Sequence, residues 1–200
     1  MAWTFYSATG EELINDGGVS ASAAVFTGKV DLGSNLLVGN AGSTGIAISS
    51  AGEVTMALQP SILVKNHAQS TNVTGDGDTH TLEFATEIYD QGDDFDNSTD
   101  TFTAPVTGRY LVCVTAELAQ ITTLADTVEL NVVASNRTIE VLRQYTTNDF
   151  PFLGQIVSGS IVVDMDADTD TITVTVEVTG ESSDTVDVTA NSYLSISLLH

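Results

Sequence analysis

The run Phe102-Thr-Ala-Pro-Val-Thr-Gly-Arg-Tyr110-Leu-Val-Cys-Val-Thr-Ala-Glu-Leu118 places a Pro105 and Gly108 corner between two aromatics and then continues as a long apolar segment. Proline presets the backbone of a turn and glycine supplies turn freedom, so the chain reverses before Tyr110. Beyond the reversal lies a central β-strand candidate, rich in Val and Leu. A chain built around such a unit is constrained to antiparallel sheet.

Comparable runs recur across the second part of the sequence. Strands are predicted at residues 61–65, 128–133, 137–143, 154–163, 171–178 and 193–199, and at 80–89 with Leu82, Phe84, Thr86 and Ile88 on one face. Many short strands without a convincing helix predict an all-β fold of two packed antiparallel sheets. Residues 90–100 form a polar loop whose single aromatic, Phe95, either plugs back into the fold or joins an exposed interaction patch.

Composition changes near Pro60. Residues 15–55 are rich in Gly, Ser and Ala, with short apolar alternations at 26–30, 36–38, 46–48 and 54–56. Strands this short bury little alone, so the segment needs a neighbour or another copy of itself to be stable. The expected organisation is an N-terminal anchoring or stalk segment over residues 1–59, a small glycine-rich β appendage, followed by a sandwich head over 60–200. Trp3, Phe5 and Tyr6 at the start either cover a small core or dock on a larger assembly, since rigid aromatics favour buried interface centres.

Charge excludes several functions. Twenty-seven acidic residues stand against 5 Lys and Arg, a formal net charge of -22. No basic stripe is available to displace counterions from a phosphate backbone, so nucleic acid is not a partner. Anionic membrane surfaces are disfavoured for the same reason, and no apolar run approaches the roughly 20 residues of a spanning helix. Disorder is excluded by the 42% apolar content. The acid excess fits a saline setting in which counterions screen repulsion. The opening Met1-Ala-Trp-Thr-Phe-Tyr lacks the basic and long apolar regions of a secretory signal. Cys113, the only cysteine, has no partner for an intrachain disulfide and reads as a small buried hydrophobe.

The candidate chemistry is acidic. Asp164, Asp166, Asp168 and Asp170 fall at every second residue, like the opening oxygen ligands of a calcium loop. Thr169 in place of the turn glycine and Thr175 in place of the closing glutamate exclude an EF-hand. Asp90, Asp93, Asp94 and Asp96 form a second dense group, and Asp76 with Asp78 a smaller one. Calcium is the candidate cation, in competition with a solvated acidic surface, and no other cofactor is expected. No Gly-x-Ser-x-Gly elbow or ordered His/Asp arrangement is present, and His67, His80 and His200 read as surface residues, so no enzymatic activity is expected.

Phe102, Ala104, Pro105, Gly108 and Tyr110 match an aromatic-x-Ala-Pro-x-x-Gly-x-Tyr pattern. Phe84, Ile88, Tyr89, Asp90 and Phe95 precede it, and Ser158-Gly-Ser-Ile-Val-Val163, Asp168-Thr-Asp-Thr-Ile172 and Tyr193-Leu-Ser-Ile-Ser-Leu-Leu199 come after it. In these features residues 60–199 resemble the C1q/TNF-like jelly roll. They depart from it where Ala167-Asp168 replaces a Gly-Asp pair and where the closing strand lacks Phe-Ser-Gly. The resemblance implies jelly-roll topology and a homotrimer packed around a threefold axis. It also implies stabilising roles for Phe84, Phe102, Pro105, Gly108, Tyr110 and Tyr193. Some members bind calcium near the trimer apex, although none of the aspartates above maps onto such a site.

The glycine-rich appendage is similar to segments preceding receptor-binding or decoration domains in bacteriophage fibres and capsid spikes. The resulting expectation is a trimeric virion surface structural protein, a capsid or collar decoration or a tail fibre head, whose partners are capsid, collar or tail proteins. Two alternatives stand beside it. One is a host-attachment adhesin that binds a surface glycan or protein through Phe95 or the Tyr145, Phe150 and Phe152 patch. The other is a cellular C1q-like interaction protein.

Overall fold

The apolar run after Pro105 becomes the strand about which the larger of two sheets is built. The computed structural model describes residues 37–38, 44–48, 51–135, 137–145 and 154–199. It begins with β1 (Leu37–Val38), β2 (Thr44–Ile48) and β3 (Val54–Met56), then β4 (Ser61–Lys65), β5 (Ser70–Thr74), β6 (Thr79–Thr81), β7 (Thr86–Gln91) and β8 (Phe95–Asp96). Next come β9 (Thr101–Thr103), β10 (Gly108–Ala119), β11 (Thr127–Ala134), β12 (Arg137–Tyr145) and β13 (Gly154–Met165), and the chain closes with β14 (Thr171–Thr179), β15 (Val186–Val188) and β16 (Tyr193–Leu198). No described residue is helical.

The strands form two facing antiparallel sheets, a jelly-roll sandwich. In the first, β10 is flanked on one side by β13 along its whole length and on the other by β16 and β15; β4 and β7 continue beyond β16, and β5 pairs β15. The second has the order β12-β11-β14-β9-β8, with β6 also on β14. Strands far apart in sequence therefore lie side by side, as β4 does with β16. A small third sheet, β1-β2-β3, belongs to the N-terminal segment.

Alternation positions the core. On β10, Tyr110, Val112, Val114, Ala116 and Leu118 point inward, facing Leu130 and Val132 of β11 and Ile172, Val174, Val176 and Val178 of β14 across the sandwich; all are buried. Each large apolar side chain so buried stabilises the fold by about 1.5–3 kcal/mol relative to exposure. The two sheets close against each other at the β12 and β13 edges. There a Cβ on Gly159 would stand 2.7 Å from Val141 Cβ, so the seam requires a residue without a side chain.

Three expectations are corrected. Residues 80–89 are not one strand: β6 and β7 join different sheets, Leu82 and Phe84 are buried between them, and Ile88 is exposed. Gly108 is not among the glycines with left-handed backbone; it simply begins β10 opposite Met165. Cys113 is exposed rather than buried, because inward positions on β10 are even-numbered and Cys113 lies on the opposite face. The apolar run through Leu111 and Cys113 thus continues on both faces of β10, the pattern of a strand covered on both sides.

Candidate functional site

The outward face of the first sheet is the site these strands create. Pairing across β7, β4, β16, β10 and β13 aligns Gln91, Ser61, Ser197, Leu111 and Val162 in one row. The next row holds Tyr89, Leu63, Ser195, Cys113 and Ser160, and the third Thr86, Lys65, Tyr193, Thr115 and Ser158. No position in the three rows is acidic, and Lys65 is the one charge. In a chain of formal charge -22, this is where the charge is absent.

Small serines keep the face flat, with the hydroxyls of Ser61 and Ser197 3.1 Å apart. Charge returns at its ends. Arg109 pairs with Asp164 in register at one end, and Glu117, opposite Ile156 at the other, accepts hydrogen bonds from Thr189 and Asn191. The outward face of the second sheet differs: Glu129 and Glu177 sit opposite each other, and Arg143 pairs with Glu129 at 2.9 Å and with Glu140 at 2.6 Å.

Seven of the carboxylates singled out in the sequence line two surface depressions. One, of about 280 Å³, brings together Asp93, Asp94, Asp96 and Asp168, so two distant acidic segments meet there. The other, of about 380 Å³, is lined by Asp164, Asp166 and Asp170 with Thr107 and Arg109. Several of these groups serve the backbone. Asp90 accepts hydrogen bonds from the amides of Asp94 and Phe95, Asp170 accepts from the Asp166 amide, and Asp96 accepts from Ser98. The Ser98 hydrogen bonds hold Asp96 below the usual carboxylate range, while burial, with Asp90 and Asp93 nearby, pushes Asp94 up to about 6. Asp164 is held low by its own backbone N–H and by Arg137, with which it forms an ion pair.

A different trio converges. The carboxylate oxygens of Asp76, Asp78 and Asp184 lie within 4.8 Å of one another, an oxygen set able to coordinate a divalent ion. Asp184 repels Asp76 and raises its pKa. Asp76 and Asp78 were visible as a short sequence pair; Asp184 comes from the loop after β14 and carries no local signal. Two buried carboxylates also carry no signal in the sequence. Glu181 accepts from the amide and hydroxyl of Thr122 at 2.6 and 2.8 Å, and Asp187 accepts from the Asn72 amide at 2.8 Å, tying loops together.

The aromatics separate by burial. Phe84, Phe102 and Tyr110 are fully buried, Pro105 is half-buried, and Tyr193 lies half-buried in the third row. Phe95 is also buried, so its loop presents carboxylates rather than the ring to solvent. Tyr145, at the end of β12, is 69% exposed. Trp3, Phe5, Tyr6, Phe150, Phe152 and His200 lie outside the described residues. His67 Nδ1 lies 3.1 Å from the Thr86 hydroxyl, and burial lowers the pKa of His80.

Residues 66–194 match the family model of the C1q domain. Among solved structures, the chain is similar to murine APRIL at pH 5.0 and at pH 8.0, each with TM-score 0.48, 13% identity and coverage of 70% of this chain and 99% of that one. Murine APRIL at pH 8.5 gives 0.45 with the same identity and coverage. No curated protein matches the chain. The two facing antiparallel sheets and the family match agree on the jelly roll. The family match overturns the bacteriophage, capsid and tail-fibre reading, since the family found is the C1q domain. The virion-surface location falls with that reading.

Proposed function

Because this chain belongs to the C1q domain family, we propose that it is a self-assembling interaction module, a homotrimer joined through the outward face of the first sheet. The observation that carries this reading is the acid-free set of rows across β7, β4, β16, β10 and β13. Like-charged chains repel wherever their carboxylates meet, so copies of a strongly anionic protein associate where charge is missing. The apolar residues on both faces of β10 support the same face, since Leu111 and Cys113 gain a cover only from another copy. The anionic loops remain outside the assembly and select partners that present basic groups. Calcium belongs to this reading at Asp76, Asp78 and Asp184, where a cation offsets the repulsion between the converging carboxylates.

Light scattering of the full chain at low and high salt tests it. The expected mass is that of a trimer for the parent protein and of a monomer for the Ser160→Asp, Ser195→Asp variant, which places carboxylates in the middle row. A parent protein that stays monomeric at every salt concentration, or a variant that still trimerises, would overturn the assignment.

A further inference from the structure

Among the described residues, the small N-terminal sheet has no partner sheet. Every residue from 51 to 58 is exposed, with Val54 and Leu58 each at 63%. Met56 lies opposite Ile46 in register, and both are exposed; Val54, two residues from Met56, shares its face. Strands of 2, 5 and 3 residues with an apolar face in water have no independent stability. Such a face needs a cover.

Its attachment indicates which cover. Gln91 Nε2 donates to the Met56 carbonyl at 2.8 Å, and Gln59 Nε2 donates to the Leu198 carbonyl at 2.9 Å. Gln91 is itself a member of the first outward row, so the small sheet stands at the border of the self-association face. Strands β2 and β3 themselves carry no charged residue, and the exposed Glu53 before β3 is the one carboxylate in their hairpin, which lessens the electrostatic objection to copies meeting there. The three rows alone cover five strands by three side-chain positions, a footprint of about 500 Å². A standard stable interface buries about 800 Å² per partner, so a further contact surface is required.

We propose that the sheet β1-β2-β3 is a second self-association surface, a β stalk in which the apolar face bearing Ile46, Val54 and Met56 packs against the same sheet of the other copies. The inference rests on the assembly reading above. Association of the heads raises the effective concentration of the small sheets, and the sheets in turn extend the interface.

Hydrogen exchange of the full chain distinguishes the two. In the assembled parent protein, amides of β2 and β3 exchange at least about tenfold more slowly than in the monomeric Ser160→Asp, Ser195→Asp variant, while the core of β10 and β16 stays protected in both. A Val54→Asp, Met56→Asp variant leaves the sandwich intact, loses that protection and raises the dissociation constant of the assembly about tenfold or more. Equal exchange of β2 and β3 in assembly and monomer overturns the stalk while leaving head assembly in place. It means that another partner or nothing covers the sheet if exchange is fast, and another part of the same chain if it is slow. A Val54→Asp, Met56→Asp variant that keeps parental protection and affinity also overturns it. A monomeric parent protein overturns the head assembly and the stalk together.

Discussion

The rings of Phe102 and Tyr110 meet edge to face, centroids 5.5 Å apart and planes at 63°, so that β9 of one sheet is pinned to β10 of the other. The Tyr110 hydroxyl also donates to the Val106 carbonyl at 2.7 Å, closing the corner that Pro105 opens. Packing and hydrogen bonding are separable here. Tyr110→Phe is expected to cost about 1 kcal/mol, the net worth of one hydrogen bond, and Tyr110→Ala about 3 kcal/mol or more. Denaturant unfolding checks both, and a cost below about 0.5 kcal/mol for the alanine variant would reject the core role.

Asp94 makes stability fall as pH rises. Its folded pKa of about 6 lies above the ordinary value of 3.8, so the folded state holds the proton more tightly than the unfolded chain. The contribution is fully present below pH 3.8 and is lost as pH rises through about 6. Asp94→Asn removes that loss, with an expected gain of about 1 kcal/mol at about pH 7.5 after allowance for solvent screening and none at about pH 3.5. Thermal melts across this range give the answer; equal effects at both pH values would count against the desolvated carboxyl.

Cys113 reports on assembly. Its side chain is exposed in a single chain and lies in the middle row of the acid-free face. A thiol-reactive probe is expected to label it slowly in the trimer and at least about tenfold faster in the parent protein diluted to monomer, a comparison that leaves its neighbours Ser160 and Ser195 unchanged. Equal rates would place Cys113 outside the interface.

Salt should raise the melting temperature. Five basic residues cannot neutralise 27 acidic ones, and monovalent ions screen the remaining repulsion over about 10 Å at 0.1 M and 3 Å at 1 M. A melting temperature unchanged or lowered between those concentrations would show that repulsion does not limit this fold.

Millimolar calcium is expected to add about 1 kcal/mol of stability through Asp76, Asp78 and Asp184, in the affinity range of extracellular calcium modules. Asp184→Asn should abolish the gain. Calorimetry of both proteins with calcium and with sodium at matched ionic strength separates a bound ion from screening; a calcium response retained in Asp184→Asn would move the ion elsewhere.

Sequence alone carried the all-β class, because burial on one side of a strand leaves a period of two, and that period is plain in residues 110–118 and 171–178. The aromatic-x-Ala-Pro-x-x-Gly-x-Tyr corner was legible too, since a turn is a local event. Periodicity failed where strands are short: Ile88 shares its parity with Leu82 and Phe84, yet the chain changes sheets between Phe84 and Thr86. Only the tertiary structure decided which carboxylates meet and where none are found. Asp184 reaches Asp76 through the closing of loops about a hundred residues apart, and the acid-free rows interleave residues from 61 to 197. The physical reason is that a jelly roll pairs strands across the whole chain, so the chemistry of its faces is written in register and not in neighbouring residues.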